Sequence, residues 1–182
     1  HQTKQELKNV QQRPSTSDSP SSEQISVITF NVRFDYEGDG RNRWSFRSKG
    51  VCETLARYKM DILCLQEALQ YQFDDIYAEL NRNGLSYGAI TRGRAQNDDC
   101  TYCPEPNEHC SILYNNEKFT KLDGGFFWLS ETPDIPGTKS WDADCVRIAT
   151  WIVLQLKHHD THSDNENSTN RTKSTSDDEH QQ

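Results

Sequence analysis

Two short apolar runs, each closing on a polar side chain, constrain this chain more than any other feature. Ile25-Ser26-Val27-Ile28-Thr29-Phe30 runs into Asn31, and Asp61-Ile62-Leu63-Cys64-Leu65 runs into Gln66-Glu67. Runs this short and this rich in Ile, Val and Leu predict strands buried on both faces rather than helices. A carboxylate just past the end of such a strand sits on a rigid support at a sheet edge, where open α/β sheets bind ligands. Glu67 is placed there to hold a hard divalent cation, and Asn31 to orient that cation or a substrate. Taken singly, each residue also has a plainer role, Asn31 opening a turn and Glu67 capping the following helix.

The first run leads into a loop from Asp35 to Trp44 rich in Gly, Asp and Arg. Val51, Cys52, Leu55, Ala56 and Tyr58 then keep the spacing of one helical face. A second helix is marked by Phe73, Ile76, Tyr77 and Leu80 and stops at Asn83-Gly84. Strand, helix, strand, helix predicts a layered, mixed α/β structure. Beyond it, Tyr87–Thr91, Ser111–Tyr114, Phe119–Leu122, Phe126–Leu129 and Arg147–Leu156 read as strands, the last covered on both faces for most of its length. So many strands with two helices leave one face poorly covered. Trp44 reads as a packing anchor, and Trp128, Trp141 and Trp151 as core.

At 182 residues the chain has room for one domain, yet its hydrophobic fraction is 32% and its mean hydropathy −0.96. The polar ends account for this: residues 1–23 and 158–182 bury too little to offset their ordering entropy and are expected to be disordered, leaving a folded unit over 24–157. Half of the net charge of −8 belongs to the C-terminal tail. Such a chain lacks the broad basic footprint of a nucleic-acid binder, but an enzyme can reach phosphate through a metal ion and a few arginines. No stretch has the length and apolarity of a transmembrane helix. Six cysteines suit either redox compartment, so localisation stays open, as does oligomeric state. Cys52 and Cys64 fall on apolar positions, where buried thiols are common. Cys100, Cys103 and Cys110 offer half of a zinc knuckle, a loop disulfide or free thiols; His109 and Cys110, as neighbours on a strand, diverge too far to share an ion.

Thr29-Phe30-Asn31-Val32-Arg33, Leu65-Gln66-Glu67 and Trp128-Leu129-Ser130-Glu131-Thr132-Pro133-Asp134, with the run Ser140 to Trp151, resemble the endonuclease/exonuclease/phosphatase superfamily, in its deoxyribonuclease I-like branch. The resemblance covers nearly all of Ile25 to Lys157. It implies an α/β (α+β) fold, a partial four-layer sandwich with a mainly antiparallel sheet, flanked by the disordered tails. It implies Mg2+ or Mn2+ on Glu67 with Asn31 beside it, and a role for Glu108 in orienting a catalytic histidine. It also implies that Arg147 contacts the substrate phosphate. These residue types suit the chemistry: a hard cation and a fork-shaped guanidinium neutralise the non-bridging oxygens, and a carboxylate can fix a histidine tautomer. Arg43, in the Arg41-Asn42-Arg43-Trp44 loop with Arg47, is a further candidate for the substrate phosphate.

The superfamily's later segments, a Thr-His-x-x-His-like strand, a Gly-Asp-x-Asn strand and an Asp-His pair, have no counterpart after Lys157. The chain is therefore expected to be the N-terminal half of such a domain and to show no turnover alone. The intact protein is expected to be a Mg2+-dependent phosphoric ester hydrolase, a nuclease or phosphatase. Its partner is expected to be a phosphate-ester substrate, nucleic acid or phosphoinositide among the possibilities. The alternative is a catalytically inactive interaction protein that keeps half of the fold.

Overall fold

The computed structural model describes residues 23–82, 84–95 and 107–157. The tails expected to be disordered, apart from Glu23, lie outside the described residues, as do Asn83, Cys100 and Cys103. In chain order the elements are β1 (Val27–Asn31), a 3-10 segment (Glu37–Asn42), α1 (Trp44–Tyr58), β2 (Ile62–Ala68), α2 (Gln70–Arg82), β3 (Tyr87–Gly93), β4 (His109–Asn115), β5 (Phe119–Trp128) and β6 (Ile148–Leu156). The first four strands form one sheet in the order β1-β2-β4-β3, and β5 and β6 form a second. Among the described residues only β1 and β2 run parallel, and the other pairings are antiparallel. A parallel pair needs a crossover, and α1 supplies it.

The helices cover one face of the larger sheet. Leu55 from α1 and Phe73, Ile76 and Leu80 from α2 close on Leu63, Leu65 and Leu113, with Met60 and Tyr87 at the margin, all buried. Tyr87 donates its hydroxyl to the Met60 carbonyl at 2.6 Å, so the ring is buried without orphaning its polar end. Trp44 is the anchor its sequence position suggested, buried with its indole N–H on Asp75 at 2.7 Å. α1 has no capping side chain at Arg43; Asp35, reaching across the loop, accepts the Trp44 amide at 2.9 Å instead.

The smaller sheet lies against the opposite face, over β3 and β4. Thr150 donates to the Cys110 carbonyl at 2.6 Å, and the Trp128 indole to the Arg94 carbonyl at 2.8 Å. Gly124 comes so close to the Ile90 side chain that an added Cβ would stand 3.0 Å from it. Helices, sheet and second sheet thus give a mixed, mostly antiparallel α/β architecture, as expected.

Several local expectations are corrected. β1 is an edge strand exposed on alternate residues, so it is not buried on both faces. Phe119–Leu122 and Phe126–Leu129 are one strand interrupted by a bulge after Lys121. β6 turns Ile148, Thr150, Ile152 and Leu154 inward, while its other face is open: Trp151 is 40% exposed. Trp141 is 67% exposed in a turn, so of the three tryptophans expected in the core only Trp128 is there.

Candidate active site

Parallel pairing sets Asn31 opposite Gln66, which brings the ends of β1 and β2 side by side. On a regular strand Glu67 would point with Leu63 and Leu65 into the helices. It does not, because the β2–β4 register slips between Leu65 and Ala68, and Glu67 takes a left-handed backbone with φ 60°. That conformation costs a non-glycine residue about 1 kcal/mol, and bulges of this kind re-aim side chains beside active sites. Glu67 therefore sits in a bulge inside β2 rather than past its end. Asn31 donates its amide to the Glu67 carboxylate at 2.7 Å and accepts the Arg33 N–H at 2.8 Å. Arg33 is itself left-handed, and its guanidinium binds Asp39 and lies over the Phe34 ring.

Glu108 precedes β4. Its two oxygens meet the two terminal nitrogens of Arg94 at 3.3 and 3.4 Å, a forked pair in which both side chains are largely buried. Burial pushes the Glu108 carboxyl above the usual range; Arg94 opposes this, Glu67 adds to it, and Arg147 and Arg33 oppose it. Glu67, Arg94, Arg147 and Arg33 are thus all close enough to act on Glu108. Arg147, exposed just before β6, is fixed through its carbonyl, which accepts the Leu129 N–H at 2.9 Å. Cys145, on the same segment, lies 3.8 Å from Arg94.

Of the residues expected at the site, the structure gathers Asn31, Glu67, Glu108 and Arg147. Arg43 stands apart: its guanidinium binds Asp35 at 3.2 and 3.4 Å, and Asp35 also accepts the Tyr71 hydroxyl at 2.8 Å. The Arg43 hydrogen bond leads in holding Asp35 down to about 2. Arg47 spends its fork on the Val32 and Arg33 carbonyls. Sequence reasoning missed Arg94 and Arg33. Arg33 carried a signal, lying two residues beyond Asn31, whereas Arg94 is a lone arginine after a strand.

Glu67 with an adjacent amide, and Glu108 raised in part by Glu67, suit a hard cation. Mg2+ is held by one or two carboxylates, keeps several waters and takes substrate phosphate oxygens. The residues fit such an ion better than a closed cage of protein ligands; among the described residues no three His, Cys, Asp or Glu side chains cluster as one.

Comparison with known proteins follows the same lines. A solved endonuclease/exonuclease/phosphatase from Bacteroides vulgatus superposes with a TM-score of 0.64 at 36% identity, covering 72% of this chain and 47% of that one. A mannosyl-6-phosphatase from Bacteroides thetaiotaomicron gives 0.63 at 30% identity, over 73% of this chain and 46% of that one. Among curated proteins, a probable CCR4-Not complex 3'-5'-exoribonuclease subunit Ccr4 from Encephalitozoon cuniculi is 32% identical over 106 residues, 52% of this chain and 20% of that protein. The chain therefore spans about a fifth of that relative and somewhat under half of the two solved proteins. The profile described as the Endonuclease/Exonuclease/phosphatase family matches residues 28–179, and the chain belongs to that family.

Proposed function

We propose that the protein carrying this chain is a divalent-metal-dependent phosphoesterase, with its metal at Glu67. The observation that carries this reading is the 2.7 Å contact between Asn31 and Glu67 across the parallel strands, with Glu67 and Arg147 both near enough to act on Glu108. Glu67, with Asn31 alongside, would hold Mg2+ or Mn2+, which when bound neutralises charge on a phosphoryl oxygen. Arg147, rather than the engaged Arg43, is the guanidinium placed on the non-bridging oxygens, where a fork geometry suits phosphate. Glu108, kept in place by Arg94 and raised above the usual carboxylate range, orients a proton-carrying group at the reacting centre.

The names of two relatives, an exoribonuclease subunit and a mannosyl-6-phosphatase, support phosphate esters of RNA or of sugars as the substrate class, with phosphoinositides a further class of the same chemistry. The test is Mg2+-dependent phosphate or nucleotide release from a sugar phosphate, an oligoribonucleotide and a phosphoinositide by the intact gene product, with and without Glu67→Gln. Loss of hydrolysis in the variant, with folding unchanged, is the expected outcome. A variant as active as the parent sinks the assignment, and a parent that folds without turning over any of the three favours the inactive interaction protein.

A further inference from the structure

One fully buried amide ties together the two segments that leave the strands carrying Asn31 and Glu67. Gln72, in the first turn of α2, accepts the Leu69 N–H at 3.1 Å and the Asp35 N–H at 3.0 Å on its oxygen. Its nitrogen donates to the Arg33 carbonyl at 3.1 Å. Leu69 lies two residues past Glu67, and Arg33 two residues past Asn31. Each of those two site residues is also followed or occupied by a left-handed backbone, at Arg33 and at Glu67. Such conformations persist only where their surroundings over-determine them. The ladder itself adds one bond past β1, from Val32 N–H to the Gln66 carbonyl at 3.0 Å. Beyond it the β1 exit is held by side chains, those of Asn31 itself, Gln72 and Arg47. Of these, Gln72 is the side chain that bonds the backbone of both strand exits.

We propose that Gln72 is a positioning residue for the metal site: its amide fixes the spacing of the β1 and β2 exits, and so the distance over which the Asn31 amide and the Glu67 carboxylate address one ion. This rests on the metal reading of Glu67. Gln72 touches neither the ion nor the substrate. A glutamine fits the task because one amide presents an acceptor with two lone pairs and a donor pointing the other way. Partners of this outer kind commonly change metal affinity by about 10–100-fold when removed.

The test is Mn2+ binding to the full chain, followed by the electron paramagnetic resonance of free Mn2+, for the parent, Gln72→Met, Glu67→Gln and Leu80→Ala. Methionine keeps the length and volume of glutamine without its hydrogen bonds. Leu80→Ala loosens the same helix from its buried side, as a control for stability alone. Weakening by Gln72→Met of about tenfold or more, with Leu80→Ala within about twofold of the parent, is expected. Should Gln72→Met fail to fold, Gln72→Asn is measured in its place; it keeps a neutral amide but draws it back by one methylene, out of reach of both exits. Equal affinities for the parent and the Gln72 variant overturn the inference alone, provided Glu67→Gln has lost binding. A Gln72 variant no weaker than Leu80→Ala overturns it too. If Glu67→Gln binds as the parent does, or the parent binds no Mn2+, the metal reading falls and this inference with it.

Discussion

Replacing Arg94 with methionine should destabilise the fold by an amount that depends strongly on pH. Arg94 and Glu108 form a forked pair at 3.3 and 3.4 Å with both side chains largely buried. Removing one partner of a buried pair costs about 3–5 kcal/mol, most of it from the charge left behind. That charge need not remain. Burial already lifts the Glu108 carboxyl and Glu67 lifts it further, while Arg94 is the foremost group holding it down. Without Arg94, Glu108 keeps its proton to higher pH, and each unit of further rise is worth about 1.4 kcal/mol. A carboxyl raised in the folded state still binds its proton after the unfolded chain has lost its own. Stability therefore falls as pH rises from the ordinary carboxylate range through the folded value, and is level above it. The parent should show a shallow decline and Arg94→Met a steep one. The loss should be about 1–2 kcal/mol near pH 4.5, where a neutral carboxyl loses only its hydrogen-bond partner, and about 3–5 kcal/mol near pH 8. Urea unfolding followed by circular dichroism in EDTA measures both. Adding Glu108→Gln to the variant should recover most of the loss at high pH. An equal loss at both pH values, or no recovery in the double variant, refutes the reasoning.

Asp35→Asn should cost about 2 kcal/mol, the depression to about 2 discounted for the exposed Arg43 on which it rests. Because the folded value is depressed, that contribution is present above the ordinary carboxylate range and disappears as acid titration passes down through about 2, which urea midpoints across the acid range will show. Acrylamide should quench Trp141 and Trp151 fluorescence and spare Trp44 and Trp128, with Trp141→Phe removing the more accessible fraction; a single uniform quenching constant contradicts this. At position 67, glycine should be more stable than alanine by about 1 kcal/mol, the reverse of an ordinary strand site. Comparing the two variants in urea isolates the backbone, since both lack the carboxylate.

The fold was readable where the pattern is local and regular. Val51, Cys52, Leu55 and Ala56 mark the face α1 presents to the core, though Tyr58, expected with them, is exposed, and Phe73, Ile76 and Leu80 mark that of α2, since a buried helix face leaves its period in the sequence. What failed were judgements about what lies over a face. Trp151 and Val153 are as apolar as Ile152 and Leu154, yet the first two are exposed and the latter two half-buried. Apolarity records that a side chain prefers cover, not which element provides it. Trp141 misled in the same way, its exposure set by the turn it occupies. Arg94 was passed over because a single arginine after a strand carries no period, and its meaning comes from Glu108, which antiparallel pairing of β3 and β4 brings beside it.

Glu67 shows how much of the site was written locally after all. Along β2 the exposures run buried at Leu65, half-exposed at both Gln66 and Glu67, and buried again at Ala68. A strand of strict period two cannot place two polar neighbours on the open side between two buried apolar residues. One extra residue is required, and the left-handed turn at Glu67 supplies it. Leu65-Gln66-Glu67-Ala68 thus states a bulge in its own polarity, and the bulge decides which side of the sheet the carboxylate serves. Gln66 then engages Thr29 on β1 at 3.2 Å, and Glu67 is left to Asn31. The strained residue and the functional residue are the same one because no unstrained strand position presents a carboxylate beside Gln66 while keeping both flanking residues in the core.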